Sequence, residues 1–135
     1  MKIVLAADGS KFTTKALAFL LAQAWVHERE IIAVNVQLRL TSRSLAQREL
    51  AAHYKAEAEA VLKPVERLLK RHRIAYRCVW MVGYPAEEIV KLAKKEKAQM
   101  IVMGTRGRSA IGSVFMGSVA QGVVSLSTVP VLLVK

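Results

Sequence analysis

The sequence predicts an α/β fold, a three-layer αβα sandwich in which helices cover both faces of a parallel β-sheet. Short, almost wholly apolar runs recur along the chain, as buried parallel strands require. Longer segments with apolar residues at three- and four-residue spacing separate these runs, and this spacing is typical of helices. The order is βαβαβαβαβ over 135 residues, which predicts one domain, 1–135, with crossover helices between parallel strands.

The first half of the chain provides two strands and two helices. Strand one (KIVLAAD) runs into a turn at Asp8 that enters helix one. Helix two is expected to begin at a capping box formed by Ser44 and Gln47, and to kink or break at Pro64. The predicted ranges are 2–8 and 30–38 for strands one and two, and 11–26 and 45–71 for helices one and two.

The second half provides three strands and two helices. Strand three carries exposed polar positions that favour an edge of the sheet, whereas strand four is a continuous apolar run. Pro85 stands at the first position of helix three, with Glu87 and Glu88 in its first turn. The predicted ranges are 74–81, 99–103 and 129–134 for strands three to five, 86–95 for helix three, and from Ser118 to about residue 126 for helix four.

The most informative stretch is 103–119 (MGTRGRSAIGSVFMGSV), a long glycine-rich connection between strand four and helix four. Its spaced residues are Gly104, Gly107, Gly117 and Ser118. Glycine lets backbone N–H groups face an anion, and the N-terminus of the following helix adds further N–H groups and partial positive charge. Arg106 and Arg108 add cationic donors. The stretch therefore predicts a phosphate-binding loop, and the alternative is a connector that merely turns the chain.

This spacing resembles the nucleotide-binding signature of the universal stress protein family, G-x2-G-x9-G-[ST], at every fixed position. The resemblance extends over essentially the whole chain, from KIVLAADGS through AVNV and VGYPAEEIVKLAKKEKAQMIVMGTRG to GSVAQGVVSLSTVPVLLVK. It implies a flavodoxin-like or Rossmann-like sheet, of the adenine nucleotide alpha hydrolase-like type, with strand order 3-2-1-4-5. In that order, the ends of strands one and four, at Asp8 and Gly104, flank one ligand crevice.

The resemblance also implies that ATP, or ADP or AMP, binds in this crevice. Asp8 would accept a hydrogen bond from a ribose hydroxyl, and Val36 would touch the adenine. Mg²⁺ would bridge phosphate oxygens without protein ligands of its own. The implied contacts are Ala6, Asp8, Val36, Met103, Gly104, Gly107, Gly117, Ser118 and Val119, with Arg106 and Arg108 as candidate phosphate contacts.

Structural roles are the alternatives for several of these residues. Asp8 could cap helix one, and Ser118 could be the N-cap of helix four. Val36 and Met103 could be ordinary core residues. The roles of Asp8 as cap and as ligand contact are compatible with each other.

No catalytic residue is predicted, because no Walker lysine, acid pair, histidine or glutamine stands near the glycine loop to activate water. His27, His53 and His72 are not spaced as metal ligands and are expected on helix surfaces. The sequence therefore favours a nucleotide-binding sensor or regulator of the stress response. The alternatives are a slow ATPase and a nucleotide-free interaction module that uses its basic surface.

Charge and cysteine content restrict partners and location. The net charge of +11 could attract nucleic acid, but the chain has no aromatic-interleaved basic stripe and no nucleic-acid motif. The single cysteine, Cys78, excludes an internal disulfide and fits a reducing cytosol. No apolar run is long enough for a bilayer span or a secretory signal. We expect a cytoplasmic protein without nucleic-acid or membrane partners.

The last predicted strand, 129–134 (VPVLLV), is nearly free of charge and would be an outer strand. An uncovered apolar edge tends to pair with another chain, and in the resembled family the last strand commonly pairs antiparallel with its copy. We therefore expect a homodimer through 129–134. The alternative is a monomer in which a loop covers this edge.

Overall fold

A computed structural model describes residues 1–39, 46–108 and 116–135. The strands are β1 (Lys2–Ala6), β2 (Glu30–Gln37), β3 (Ala75–Val82), β4 (Met100–Gly104) and β5 (Val131–Val134). The helices are α1 (Lys11–Leu21), α2 (Gln47–Arg71), α3 (Pro85–Lys95) and α4 (Ser118–Leu126). All strand pairs are parallel, in the order β3-β2-β1-β4-β5, which confirms the predicted fold class and strand order.

Two apolar cores sandwich the sheet because alternate side chains of each strand point to opposite faces. On β1, the side chains of Ile3 and Leu5 pack on one face and that of Val4 on the other. The first face is covered by α1 and α2, with Leu17, Leu20, Val65 and Leu69 in its core. The second face is covered by α3 and α4, with Ile89, Leu92, Ala120 and Val123 in its core.

Helix α1 is shorter than predicted, and helix α2 has no break at Pro64. Helix α1 ends at Leu21 rather than at residue 26, because a short 3₁₀ helix, Ala24–Glu28, follows and turns Val26 into the core. Helix α2 runs unbroken across Pro64, whose exposed ring is flanked by buried Leu62 and Val65. Packing of these neighbours offsets the hydrogen bond that proline removes.

The predicted capping box of α2 includes Ser44, which lies outside the described residues. The helix begins at Gln47 with Ala46 as its N-cap, and no side chain of the described residues caps it. Strand β1 ends at Ala6 rather than at Asp8, because the backbone turns there toward α1. The limits of β2, β3, β4 and α3 shift by one residue, whereas β5 begins two residues late, after Pro130.

Ion pairs connect several elements at the amino-terminal ends of the strands. Arg77 of β3 pairs with Glu30 of β2 at 2.7 Å and with Glu96 at the end of α3 at 2.8 Å. Lys2 of β1 also pairs with Glu96, at 3.1 Å. Hydrogen bonds from Arg77, and then from Lys2, lower the pKa of Glu96 to about 2. These ion pairs therefore join β1, β2, β3 and the end of α3 at the amino-terminal ends of the strands.

Candidate functional site

A crevice of about 430 Å³ opens at the carboxyl ends of β1 and β4. These are the two central strands from which the chain continues in opposite directions, where ligands bind in open parallel sheets. Every residue that the sequence predicted as a ligand contact lines this crevice. They are Ala6, Asp8, Val36, Met103, Gly104, Arg106, Gly107, Arg108, Gly117, Ser118 and Val119.

The two ends of the crevice differ in chemistry. One end is apolar, with Val36 and Leu38 from the β2 side and Ile89 from α3. The other end is polar, between Asp8 and the start of α4 at Ser118. Such a site suits a ligand with a flat apolar part and a charged part. The side chains of Val36 and Met103 also contact the core beneath, so their lining and core roles coexist. Val36 is half-buried and Met103 is buried.

Asp8 joins the turn after β1 to the glycine loop. Its Oδ1 accepts hydrogen bonds from the Ser10 backbone N–H and the Thr13 hydroxyl, both at 2.9 Å. Its Oδ2 accepts from the Arg108 backbone N–H at 3.1 Å. The N-cap of α1 is Ser10, whose Oγ accepts from the Phe12 N–H at 3.2 Å. Asp8 therefore orients the loop instead of capping the helix.

The three spaced glycines differ in how much room a Cβ would have. A Cβ on Gly104 would overlap the Cβ of Phe12 and lie 3.1 Å from its carbonyl carbon and oxygen. A Cβ on Gly107 would overlap Oδ2 of Asp8. Of the described residues, the one nearest to a Cβ on Gly117 would be Arg106, with its Cα at 3.5 Å, and the φ of Gly117 is −71°. The fold among the described residues thus explains the first two glycines and not Gly117.

Helix α4 points its N-terminus into the crevice. Its N-cap is Gly117 rather than Ser118, and no side chain within 1–39, 46–108 or 116–135 caps it. The N–H groups of its first turn, at Ser118, Val119 and Ala120, have no acceptor within the helix, and these three residues line the crevice. The Gly117 N–H donates to the Thr105 carbonyl at 2.7 Å, which fixes the direction of the helix start. The arrangement can take an anionic oxygen.

The two arginines of the loop lie differently. The guanidinium of Arg106 is 5.8 Å from the centroid of the Phe12 ring. The guanidinium of Arg108 pairs with Glu57 of α2 at 3.6 Å and covers Gly9, whose φ is +83°. Arg106 therefore lies at the polar end without an acid partner among the described residues, whereas Arg108 is already paired.

Sequence reasoning missed two buried polar residues that shape the site. The Thr13 hydroxyl, besides donating to Asp8, accepts from the Asp8 N–H at 3.0 Å. Asn35 of β2 donates from Nδ2 to the Ala7 carbonyl at 2.9 Å and receives a hydrogen bond from Gln37. The sequence pattern could have indicated both residues. Thr13 is a polar residue on the apolar stripe of α1, and Asn35 is a polar residue within an apolar strand.

The described residues contain no group of three or more His, Cys, Asp or Glu side chains that could hold a metal ion. The side chains of His27 and His53 are exposed on helical segments, as predicted, and that of His72 is exposed at the C-cap of α2. Cys78 is half-buried, and burial raises the pKa of its thiol. Within the same described ranges, no helix has the length and apolar character needed to cross a membrane.

Comparison with known proteins gives one consistent family. The family model described as the universal stress protein family matches residues 1–135. A universal stress protein of Thermus aquaticus is 36% identical, over 98% of this chain and 97% of its own length. A solved hypothetical protein of Methanocaldococcus jannaschii superposes with a TM-score of 0.84 at 28% identity, over 99% of this chain and 94% of its own. A universal stress protein solved in complex with cAMP superposes with a TM-score of 0.75 at 26% identity, over 100% and 97%.

Proposed function

The chain belongs to the universal stress protein family, and from this premise we propose that its domain, 1–135, binds an adenine nucleotide, ATP first of all, at the carboxyl ends of β1 and β4. The cAMP complex of a family member shows that the same fold can hold an adenine nucleotide. The residues proposed as contacts are Ala6, Asp8, Val36, Met103, Gly104, Gly107, Gly117, Ser118 and Val119.

The chemistry of the crevice suggests how the nucleotide lies. The adenine would occupy the apolar end against Val36 and Leu38, and the phosphates would lie at the start of α4. Asp8 has capacity for a ribose hydroxyl, because a carboxylate offers about four lone-pair sites and protein donors use three of them. Mg²⁺, where present, would be held by phosphate oxygens and water.

One observation carries the proposal, namely Gly117. Glycine at an N-cap costs a helix only a few tenths of a kcal/mol relative to serine, aspartate or asparagine, and it brings no side chain to the first-turn N–H groups. Gly117 stands there with ordinary backbone angles, and the described residues around it leave room for a Cβ. A ligand that must approach the first-turn N–H groups closely accounts for the absence of a side chain at this position.

We propose that the nucleotide-bound state acts as a sensor or regulator of the stress response in the cytoplasm rather than as a catalyst. Among the described residues that line the crevice, Asp8 is the only acid. Its oxygens already accept three hydrogen bonds that orient the loop. A carboxylate held in this way is poorly placed to activate water for attack on a phosphate.

Protein purified without added nucleotide and then denatured is expected to release an adenine nucleotide in a substantial fraction of one equivalent. Chromatography with mass detection of the supernatant identifies the nucleotide. Incubation with ATP and Mg²⁺ should give no more phosphate than a heat-inactivated sample. Phosphate release above that control would favour the slow ATPase, and an absence of both bound nucleotide and ATP affinity would contradict the proposal.

We further propose a homodimer formed through residues 129–134. Strand β5 pairs with β4 along one edge, and no described strand pairs with its other edge. Beside it, Val124 and Leu126 of α4 are exposed, at 47% and 50%. Uncovered apolar strand edges of this kind are paired or protected in native proteins.

Sedimentation velocity at micromolar concentration is expected to give twice the mass of 14.9 kDa. Leu132→Lys should shift the distribution toward monomer, because a charge would be placed within the paired strand. The matched variant Leu38→Lys, at an exposed position away from this edge, should sediment as the wild type. A wild-type monomer at these concentrations would rule out the dimer.

A further inference from the structure

Three cationic side chains gather around Phe12 at the start of α1. The ammonium nitrogens of Lys11 and Lys15 lie 5.4 and 5.5 Å from the centroid of its ring. The guanidinium of Arg106 lies 5.8 Å from the same centroid. The ring itself is only 7% exposed. We name Lys11, Lys15 and Arg106 the Phe12 cation cluster.

The Phe12 cation cluster has no acidic partner. None of its members forms an ion pair within the part of the chain that the structure describes. Neighbouring Arg108 does, with Glu57. Like charges gathered at one ring repel one another, and a cation–π contact at an exposed site contributes only about 0.5–1 kcal/mol. The cluster is therefore suited to an anion from outside the chain.

Arg106 connects the Phe12 cation cluster to the crevice. Its side chain belongs to the cluster, and the residue also lines the crevice. Its Cα lies 3.5 Å from the Cβ position of Gly117, at the start of α4. From there its side chain extends to the Phe12 ring, beside which Lys11 and Lys15 lie.

We propose that Lys11 and Lys15, together with Arg106, bind the terminal phosphates of the nucleotide, so that the crevice distinguishes nucleotides by their number of phosphates. This inference rests on the proposed nucleotide binding and adds the residues that set its specificity. The first phosphate is held by backbone N–H groups at α4, which every adenine nucleotide can use. The second and third phosphates reach the cluster, which AMP cannot.

The test is the double variant Lys11→Met and Lys15→Met, titrated with AMP, ADP and ATP by calorimetry at fixed ionic strength. Methionine keeps an unbranched apolar stem beside Phe12 and removes the ammonium charge. Affinity for ATP is expected to fall about tenfold, which is about 1.4 kcal/mol shared between two exposed ion pairs. Affinity for ADP should fall less, and affinity for AMP should not change.

The matched control is Lys94→Met and Lys95→Met in the last turn of α3, which removes the same charge from exposed positions outside the crevice. It should leave all three affinities unchanged and thereby exclude an effect of net charge. Equal losses for AMP and ATP in the cluster variant, or no loss for ATP, would overturn the inference while nucleotide binding stands. Failure of the wild type to bind AMP and ATP would instead overturn the proposed function. Each single lysine variant provides the same comparison if the double variant melts early.

Discussion

Replacing Gly117 with valine is expected to abolish adenine-nucleotide binding while the protein stays folded. The φ of −71° and ψ of 163° at this residue are β-region angles that valine adopts readily. The Cβ of the new side chain would have room among the described residues, whose nearest atom is the Arg106 Cα at 3.5 Å. The valine methyl groups would then stand in front of the first-turn N–H groups of α4, where the phosphates are proposed to bind.

Calorimetry with ATP measures the loss, and a thermal melt followed by circular dichroism measures the fold. The melting temperature should stay within about 5 °C of the wild type, since an N-cap change costs on the order of 1 kcal/mol. Ser125→Val, at an exposed position near the other end of α4, controls for adding a branched side chain to this helix. Unchanged ATP affinity in a folded Gly117→Val protein would show that the phosphates do not lie at α4.

The fold was predictable where the spacing of apolar residues in the sequence indicates which side chains are buried. Apolar runs and helical stripes placed all five strands and the four helices, because burial on both faces of a parallel sheet leaves a direct pattern. The end of α1 was not predictable in this way. Residues 22–26 continue an apolar segment, and a 3₁₀ helix that buries Val26 cannot be distinguished from an α-helix that does so. The strand order came from the family resemblance, since periodicity contains no information on neighbours.

The candidate site was predictable in its residues but not in their individual reasons. The spacing of Gly104, Gly107 and Gly117 located the loop, yet only the structure shows that the first two glycines meet Phe12 and Asp8. The hydrogen bonds of Thr13 and Asn35 depend on which strands and helices come together, so a single polar residue in an apolar pattern indicated little beforehand. The same limit applies to the Phe12 cation cluster, which combines residues of α1 with one from the loop after β4.

Replacing Gly104 with alanine is expected to destabilise the fold. The expected result for Gly117 in the same glycine motif is the opposite, since its replacement should leave the protein folded. The added Cβ would overlap the Cβ of Phe12 and lie 3.1 Å from the Phe12 carbonyl carbon and oxygen. The latter two atoms belong to the backbone of α1, which packs against β4, so a rotamer change cannot relieve the overlap. Helix α1 has to shift away from the sheet, and overpacking of this kind costs about 3 kcal/mol.

Such a loss lowers the melting temperature by roughly 10 °C for a domain of this size, and urea unfolding followed by circular dichroism measures the free energy directly. Gly117→Ala is the matched control, because it makes the same chemical change where the Cβ has room. Equal unfolding free energies for the two alanine variants would contradict the division of roles within the motif. If only Gly104→Ala lowers the stability, then the packing of α1 requires Gly104, whereas Gly117 is free for the role in ligand binding that we assign to it.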